Sequence, residues 1–323
     1  MQGDVIMRVL VTPTSLQPDK HSPALLKLRE FCDDLVFNPT GKPLDENALI
    51  ELLQDCDGYL AGLDHVSDYV LKRCPKLKAI SRYGAGYDRV DVKTAKEQGV
   101  KVANTPGANA QAVAELSFAM LMSLARKITY LHQETISGKW VRSTGIELFG
   151  KTLGVIGLGA IGKKVAACAK GFNMQVLAYD PYIDEDYCKE NGILSADFNT
   201  VIKNADFISL HLPLTESTWH LINSDVIAAM KPTAIVVNAS RGGIVDEAAA
   251  YQALVSNRLG GLGLDAFEHE PPEASPLFSL PNVIATPHAG AHTSEATAAM
   301  ADMAVENLIC MLQGKACEYV VNQ

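Results

Sequence analysis

The segment IATPHAGAHT, residues 284–293, carries two histidines, His288 and His292, four positions apart. On a helix this spacing would place both rings on one face, where they could bind zinc. Pro287 and the small residues after His288 instead predict a strand end followed by a turn. The sequence therefore favours proton transfer by His288, and it predicts no metal site.

Three polar residues stand where predicted strands end: Arg241 in NASRGGIVDE, Glu270 in LDAFEHEPP, and His288. In an open α/β sheet, ligands bind beyond the carboxyl ends of the strands. An arginine can hold an anion, a carboxylate can orient a histidine, and a histidine can move a proton. Taken singly, each could be an ordinary strand-end or loop residue. Their placement together indicates a catalytic site.

The elements that must position these residues alternate in type along the chain. Apolar runs at 8–12, 58–63, 77–84 and 100–105 predict strands, as do six later runs at 153–159, 175–180, 207–213, 234–240, 262–267 and 283–288. Helical patterns separate them, which predicts an α/β fold with a doubly wound parallel sheet. Residues 109–133 predict one long buried helix, and a last helix over 294–314 is expected to return to the first domain.

The segment GLGAIG, residues 157–162, follows a predicted strand and opens a predicted helix. Gly157 permits a tight turn, Gly159 lets the backbone approach a pyrophosphate, and Gly162 allows close helix packing. Asp180 ends the next strand, where a carboxylate accepts from a ribose 2′-OH and repels a 2′-phosphate, so NAD is favoured over NADP. A glycine turn that binds nothing, with Asp180 as a plain turn residue, is the alternative.

Composition limits the remaining classes. The chain has 323 residues, 48% of them hydrophobic, and this length favours two domains. Its net charge of -9 argues against nucleic-acid or membrane partners. Seven cysteines without a CxxC pair predict reduced thiols and a cytosolic protein. No apolar run approaches the roughly 20 residues of a membrane span. The start, MQGDVIMRVLVT, predicts a lead-in to a strand and not a signal peptide.

Several long motifs resemble the D-isomer-specific 2-hydroxyacid dehydrogenases: NASRGGIVDE, LDAFEHEPP, TPHAGAHTSEA, ANTPGANAQAVAE, and GLGAIG with YDP. The resemblance covers about residues 77–314. It implies a Rossmann-type doubly wound NAD domain, residues 105–290, inserted into a smaller flavodoxin-like α/β substrate domain, residues 1–104 and 291–323. It also implies a homodimer.

The resemblance further implies residue roles. Arg241 would hold the substrate carboxylate and polarise the carbonyl, His288 would be the acid/base, and Glu270 would favour its protonated form. The implied cofactor residues are Gly157, Gly159, Ala160, Ile161, Gly162, Asp180, His211, Pro213, Thr218, Ala239, Ser240, Asp265, His288 and Gly290. The implied substrate residues are Arg82, Tyr83, Gly84, Ala85, Gly86, Asn104, Arg241 and His288.

Within this family, the motifs resemble most the members that act on 3-phosphoglycerate. Arg82 and Arg142 would then face the substrate phosphate, although both could be ordinary surface residues. Tyr83 and Tyr87 depart from the smaller residues expected in that loop, so a glyoxylate or hydroxypyruvate reductase stays open. An NAD-sensing corepressor-like binding protein is a more distant alternative. The end at EYVVNQ predicts a short form without a C-terminal regulatory domain.

Overall fold

A computed structural model of the chain describes residues 7–18 and 22–323, and the predicted lead-in at residues 1–6 lies outside them. The chain divides into two compact units, Met1–Asn109 with Thr293–Gln323, and Ala110–His292. The predicted domain boundaries after residues 104 and 290 stay a prediction. The division into the two units coincides with the starts of two helices, so residues 105–109 lie in the first unit and residues 291–292 in the second.

The first unit contains a parallel sheet whose described strands run in the order β2-β1-β3-β4-β5. This order is that of flavodoxin-like sheets. Its elements before residue 110 are β1 Arg8–Val11, α1 Pro23–Phe31, β2 Asp34–Phe37, α2 Glu46–Leu53, β3 Gly58–Ala61, α3 Asp68–Leu71, β4 Ala79–Arg82, α4 Val92–Glu97 and β5 Lys101–Ala103. Strand β2 was not predicted from the sequence, because its four residues begin with an aspartate and carry no long apolar run.

The second unit holds a parallel sheet in the order β12-β11-β10-β9-β6-β7-β8 among the described residues. Its elements are α5 Ala110–Ala125, α6 Ile128–Ile136, β6 Thr152–Ile156, α7 Ala160–Lys170, β7 Gln175–Tyr179, α8 Glu185–Asn191, β8 Ile193–Ser195, α9 Phe198–Asn204, β9 Phe207–Leu210, α10 Ser224–Ala229, β10 Ile235–Asn238, α11 Glu247–Val255, β11 Gly261–Leu264, a 3-10 turn Pro276–Ser279 and β12 Val283–Ala285. The order is Rossmann-type, and the predicted fold class is confirmed.

Two details of the second unit differ from the sequence reading. The edge strand β8 was not predicted, because three residues with two of them exposed give little apolar signal. The long helix predicted over 109–133 is two helices, since Lys127 between them adopts a left-handed backbone with φ 54°. The second helix, α6, has no buried residue among those described, whereas α5 is buried along most of its length.

The second sheet is buried on both faces, as parallel sheets covered by helices require. Successive residues of β6 illustrate this, because Val155 belongs to one apolar cluster and Ile156 to the other. The strands β9, β10 and β11 are fully buried and hold the loops at their carboxyl ends in place. Within the described ranges, no helix combines the length and apolarity needed to cross a bilayer.

The last helix, α12 Ser294–Leu312, belongs to the first unit. It packs against α1 and against the strands β3 and β4. Lys27 forms an ion pair of 2.7 Å with Glu306, and the Tyr83 hydroxyl donates to the Thr297 carbonyl at 2.9 Å. The first unit is therefore built from two separate stretches of the chain.

Candidate active site

His288 and Glu270 are paired at one edge of the second sheet. They follow β12 and β11, which are parallel neighbours, so both loops lie at the same end of the sheet. Nδ1 of His288 lies 2.8 Å from Oε1 of Glu270, which also accepts from the Phe267 N–H at 3.3 Å. An ionised carboxylate only accepts, so Nδ1 is the donor. Nε2, for which the described part of the chain provides no partner, can exchange a proton.

Asp265 fixes the loop that carries His288. This carboxylate is 2% exposed and accepts from the N–H groups of Ala289 at 2.7 Å and Gly290 at 2.8 Å, and from the Thr286 hydroxyl at 2.7 Å. His288 has a left-handed backbone, φ 51°, and donates its own N–H to the Thr286 carbonyl. Asp265 thus holds a strained turn, and its predicted contact with the cofactor stays a prediction.

Arg241 stands beyond β10, the strand next to β11. The Asn238 side chain orders this loop, donating to the Arg241 carbonyl at 2.7 Å and accepting from Ser240. One guanidinium nitrogen of Arg241 donates to the Ser240 carbonyl at 2.7 Å. The neighbouring strands β10, β11 and β12 therefore place Arg241, Glu270 and His288 at one end of the same sheet.

The glycine segment after β6 has a shape that fits a dinucleotide. Gly157 has φ +94°, and a Cβ there would lie 2.6 Å from the His211 carbonyl oxygen. A Cβ at Gly162 would lie 2.1 Å from the Gly157 carbonyl oxygen, whereas one at Gly159 would meet nothing within 4 Å. Gly159 also begins α7 without a side-chain cap, and the predicted residues 160–161 form its first turn. Free N–H groups beside open space suit a pyrophosphate.

Asp180 lies directly beside this segment. Its carboxylate accepts from the Leu158 N–H at 2.7 Å and from the Tyr182 N–H at 2.8 Å. These bonds hold the acidic group against the glycine turn, and the remaining lone pairs can accept from a ribose hydroxyl.

The loop after β9 carries the other predicted cofactor residues. Burial lowers the pKa of His211 to about 3, so its ring is neutral. Ser209 lies 2.8 Å from Nε2 of this ring, while Nδ1 has no partner within the part of the chain described. Thr218 donates to the Pro213 carbonyl at 2.7 Å and closes the loop. The two remaining positions, Ala239 and Ser240, belong to the loop after β10.

The predicted substrate loop, residues 82–86, is held within the first unit. The Gly84 N–H donates to the Thr105 hydroxyl at 3.0 Å, and the Asn104 side chain donates to the Ala85 carbonyl at 2.6 Å. No acceptor for the N–H groups of Ala85 and Gly86 occurs in the described ranges. The N–H groups of Ala85 and Gly86 can therefore bind an anion.

Arg82 is buried, with 7% of its surface exposed. Its guanidinium donates to the Tyr83 carbonyl and, at 3.4 Å, to the Ala61 carbonyl. The Tyr83 hydroxyl is engaged as well, accepting from Ser15 at 2.9 Å and donating to Thr297. Arg142 is exposed. Arg82 and Tyr83 therefore bond this loop to β3, to Ser15 and to α12.

A different set of residues has the ligand types of a metal site. The ligand atoms of His220, Asp246 and Glu268 lie within 4.8 Å of one another. His292 does not belong to this set; it is an exposed turn residue whose N–H donates to the Ala289 carbonyl. Sequence reasoning missed this cluster, although the acidic pairs in IVDE and FEHE were visible signals. It also missed Asn238 and Thr286, whose polar side chains next to strand ends could have indicated loop anchors.

Sequence and structure comparisons identify the family. Residues 118–290 match the profile described as "D-isomer specific 2-hydroxyacid dehydrogenase, NAD binding domain". A glyoxylate reductase of Korarchaeum cryptofilum is 40% identical over 87% of this chain and 87% of its own length. A D-3-phosphoglycerate dehydrogenase of Methanocaldococcus jannaschii is 44% identical over 86% of this chain, which spans 54% of that relative.

A solved structure, that of a D-lactate dehydrogenase from Aquifex aeolicus complexed with NAD and lactic acid, aligns with 98% of this chain and 99% of its own. Its TM-score is 0.85 and the sequence identity is 28%. The matched profile describes an NAD-binding domain, and the glycine segment fits the dinucleotide, so NAD is the cofactor. The chain belongs to the D-isomer-specific 2-hydroxyacid dehydrogenases.

Proposed function

We propose that His288, oriented by Glu270, is the acid/base group of an NAD-dependent D-2-hydroxyacid oxidoreductase, the activity class of this family. The observation that carries the proposal is the 2.8 Å contact between His288 Nδ1 and Glu270 Oε1. It fixes the tautomer and leaves Nε2 for the reacting oxygen.

The glycine segment 157–162 and Asp180 would hold NADH, which would supply the hydride for C2 of the oxo acid in the direction of reduction. The carbonyl oxygen becomes an alkoxide, and His288 gives it the proton from Nε2. Glu270 stabilises the imidazolium before this transfer. Arg241 binds the carboxylate and polarises the carbonyl. In oxidation, neutral His288 removes the hydroxyl proton.

The first substrate candidate is the pair 3-phosphoglycerate and 3-phosphohydroxypyruvate. The sequence motifs favour it, and the Methanocaldococcus relative carries the corresponding name. A substrate phosphate needs cations, because an unpaired dianion is costly to bury. Arg142 is exposed and can supply such a charge.

A small uncharged 2-oxo acid, such as glyoxylate or hydroxypyruvate, is the second candidate. The contacts of Arg82 support it, since one terminal nitrogen of this buried guanidinium donates to two backbone carbonyls and fewer of its N–H groups remain for a phosphate. The Korarchaeum relative is named a glyoxylate reductase. The two candidates share the cofactor, His288, Glu270 and Arg241, and they differ only in the side chain accepted.

Steady-state kinetics with NADH and four oxo acids distinguish the candidates: 3-phosphohydroxypyruvate, hydroxypyruvate, glyoxylate and pyruvate. Higher kcat/KM for the phosphorylated substrate, reduced by Arg142→Ala, supports phosphoglycerate oxidation. Higher kcat/KM for an uncharged acid, unaffected by Arg142→Ala, supports the second candidate. NADH binding without turnover of any of the four would contradict both and favour the corepressor-like binding protein.

We further propose a homodimer. Large apolar side chains lie exposed along α6 and the segment after it: Ile128 53%, Ile136 65%, Trp140 84% and Phe149 66%. Exposed large apolar side chains close in sequence are typical of an interface. Sedimentation equilibrium should give twice the chain mass, and Trp140→Glu should give monomers. A monomeric parent protein would contradict the proposal.

The cytosolic location also stays a proposal. It is supported by the seven cysteines, all of which are free thiols. Burial raises the pKa of Cys32 to about 11 and that of Cys56 to about 12, so both thiols are protonated and unreactive at neutral pH.

A further inference from the structure

The loop after β9 is bonded to the loop that carries Arg241. His220 donates its N–H to the Gly243 carbonyl at 2.6 Å, and Ile222 donates to the Ile244 carbonyl at 3.0 Å. The Trp219 ring covers Gly243 so closely that a Cβ there would lie 2.3 Å from the indole. The segment 219–222 therefore fixes the residues directly after Arg241.

The loop that carries Arg241 is bonded in turn to the loop that carries Glu270. A Cβ on Gly242 would lie 1.7 Å from the Phe267 carbonyl oxygen. Glu247 and Glu268 exchange hydrogen bonds, each backbone N–H donating to the other's carboxylate, at 3.1 and 2.8 Å. Burial, and then the nearby negative charge of Glu268, raise the pKa of Glu247. A nearby hydrogen-bond donor therefore stabilises these two carboxylates.

His220 supplies that donor. Its Nε2 lies 3.1 Å from Oε1 of Glu268, its Nδ1 lies 3.7 Å from Oδ2 of Asp246, and its ring stacks on Trp219 at 4.6 Å. The two nitrogens face different carboxylates, that of Glu268 at hydrogen-bond distance and that of Asp246 slightly beyond it. The arrangement is that of an imidazole between two acidic groups. Because the three ligand atoms also lie within 4.8 Å of one another, treatment with EDTA tests the metal alternative.

We propose that His220 is a positioning residue for the reaction: it bridges the three loops after β9, β10 and β11, and so holds Glu270 in register with His288. Glu268, the residue His220 contacts, is two positions before Glu270. A shift of Glu268 moves the carboxylate that orients the acid/base group. The inference rests on the proposed roles of His288 and Glu270.

The test compares His220→Phe, which keeps the stacking and removes both ring nitrogens, with His220→Gln, which keeps a side-chain N–H. For His220→Phe we expect a fall in kcat of about tenfold, with the NADH dissociation constant unchanged. The KM for the oxo acid should change little, because a displaced Glu270 disturbs the orientation of His288 and not substrate binding. His220→Gln should restore part of the lost kcat. All assays are run below the thermal transition of each variant.

His65→Phe is the matched control, since it removes an exposed histidine paired with Glu46 at 3.3 Å in the other unit. In combination with Glu268→Gln, His220→Phe should cost little more than either change alone, because both act through one contact. An unchanged kcat in His220→Phe would overturn the proposal. So would activity lost to EDTA and restored by zinc in the parent protein. The proposed function fails separately, if His288→Ala keeps its turnover.

Discussion

Oε1 of Glu270 lies 2.8 Å from Nδ1 of His288, so a single carboxylate contact determines which histidine nitrogen is left to exchange a proton. The contact joins two loops that are 18 residues apart in sequence. It exists because β11 and β12 pair in parallel, which brings both carboxyl ends to one edge of the sheet.

Replacing either partner should impair chemistry and spare cofactor binding. We expect His288→Ala to lower kcat by about 10²- to 10⁴-fold, the usual contribution of general acid/base catalysis. Glu270→Gln should lower kcat less, since the amide oxygen can still accept from Nδ1 and orient the ring. Stopped-flow turnover and NADH fluorescence titration measure the two effects. Unchanged turnover in His288→Ala would remove this residue from the mechanism.

Replacing two glycines of the segment 157–162 should have different effects. Gly162→Ala places a Cβ 2.1 Å from a backbone oxygen, so we expect a lower thermal midpoint. Gly159→Ala meets no protein atom within 4 Å, so it should fold normally and weaken NADH binding by occupying the cofactor's space. Gly192→Ala is a poor control because its φ is +66°, whereas Gly171→Ala has an ordinary backbone and only a 3.5 Å contact. Equal NADH affinity in Gly159→Ala and Gly171→Ala would contradict this account.

Asp180 should determine the choice between NADH and NADPH. Asp180→Ser removes the negative charge beside the expected 2′ position, so kcat/KM for NADPH should rise relative to kcat/KM for NADH. The variant also loses carboxylate bonds to Leu158 and Tyr182, and some overall affinity should be lost. The ratio of kcat/KM for the two cofactors is the readout. A ratio that does not change would mean that Asp180 does not meet the ribose.

Asp265→Asn should destabilise the turn that carries His288. The carboxylate accepts three hydrogen bonds at 2.7–2.8 Å, and an amide nitrogen placed there would face a donor. A buried, unsatisfied polar group costs about 1–3 kcal/mol, and the thermal midpoint should fall. Turnover should fall as well. Thr286→Val removes only one of these bonds, so the thermal midpoint and the turnover should both decrease less. A larger decrease than in Asp265→Asn would contradict the role of Asp265 in holding the turn.

His211 should contribute to loss of stability in acid. Its pKa is about 3 in the folded chain, against 6.5 for the free side chain. Below pH 6.5 the unfolded state binds a proton that the folded state does not, so stability is complete above this pH and is lost as the pH falls toward 3. The slope approaches about 1.4 kcal/mol per pH unit. Urea midpoints of His211→Gln should depend less on pH between 6.5 and 4, and an identical dependence would show that His211 is not buried as a neutral ring.

By itself, the sequence determined that both sheets are parallel and where the glycine segment lies. It also determined that Arg241, Glu270 and His288 follow the ends of strands. These features depend on local patterns, namely apolar runs, glycine spacing and polar residues at strand ends. It did not determine β2 or β8, whose short strands form only through pairing with neighbours, or the break at Lys127, which requires a left-handed backbone.

The tertiary structure alone decided what the polar side chains contact. The Arg82 guanidinium donates to the carbonyls of Tyr83 and of Ala61, which lies on the neighbouring strand β3, while its predicted contact with a substrate phosphate stays a prediction. Asp265 accepts from the N–H groups of Ala289 and Gly290 and so holds the turn that carries His288, in addition to its predicted contact with the cofactor. His220 and Glu268 are 48 residues apart and meet only because β9, β10 and β11 are neighbours in the sheet. A hydrogen bond depends on distance and direction in space, which residue type and spacing along the chain do not specify.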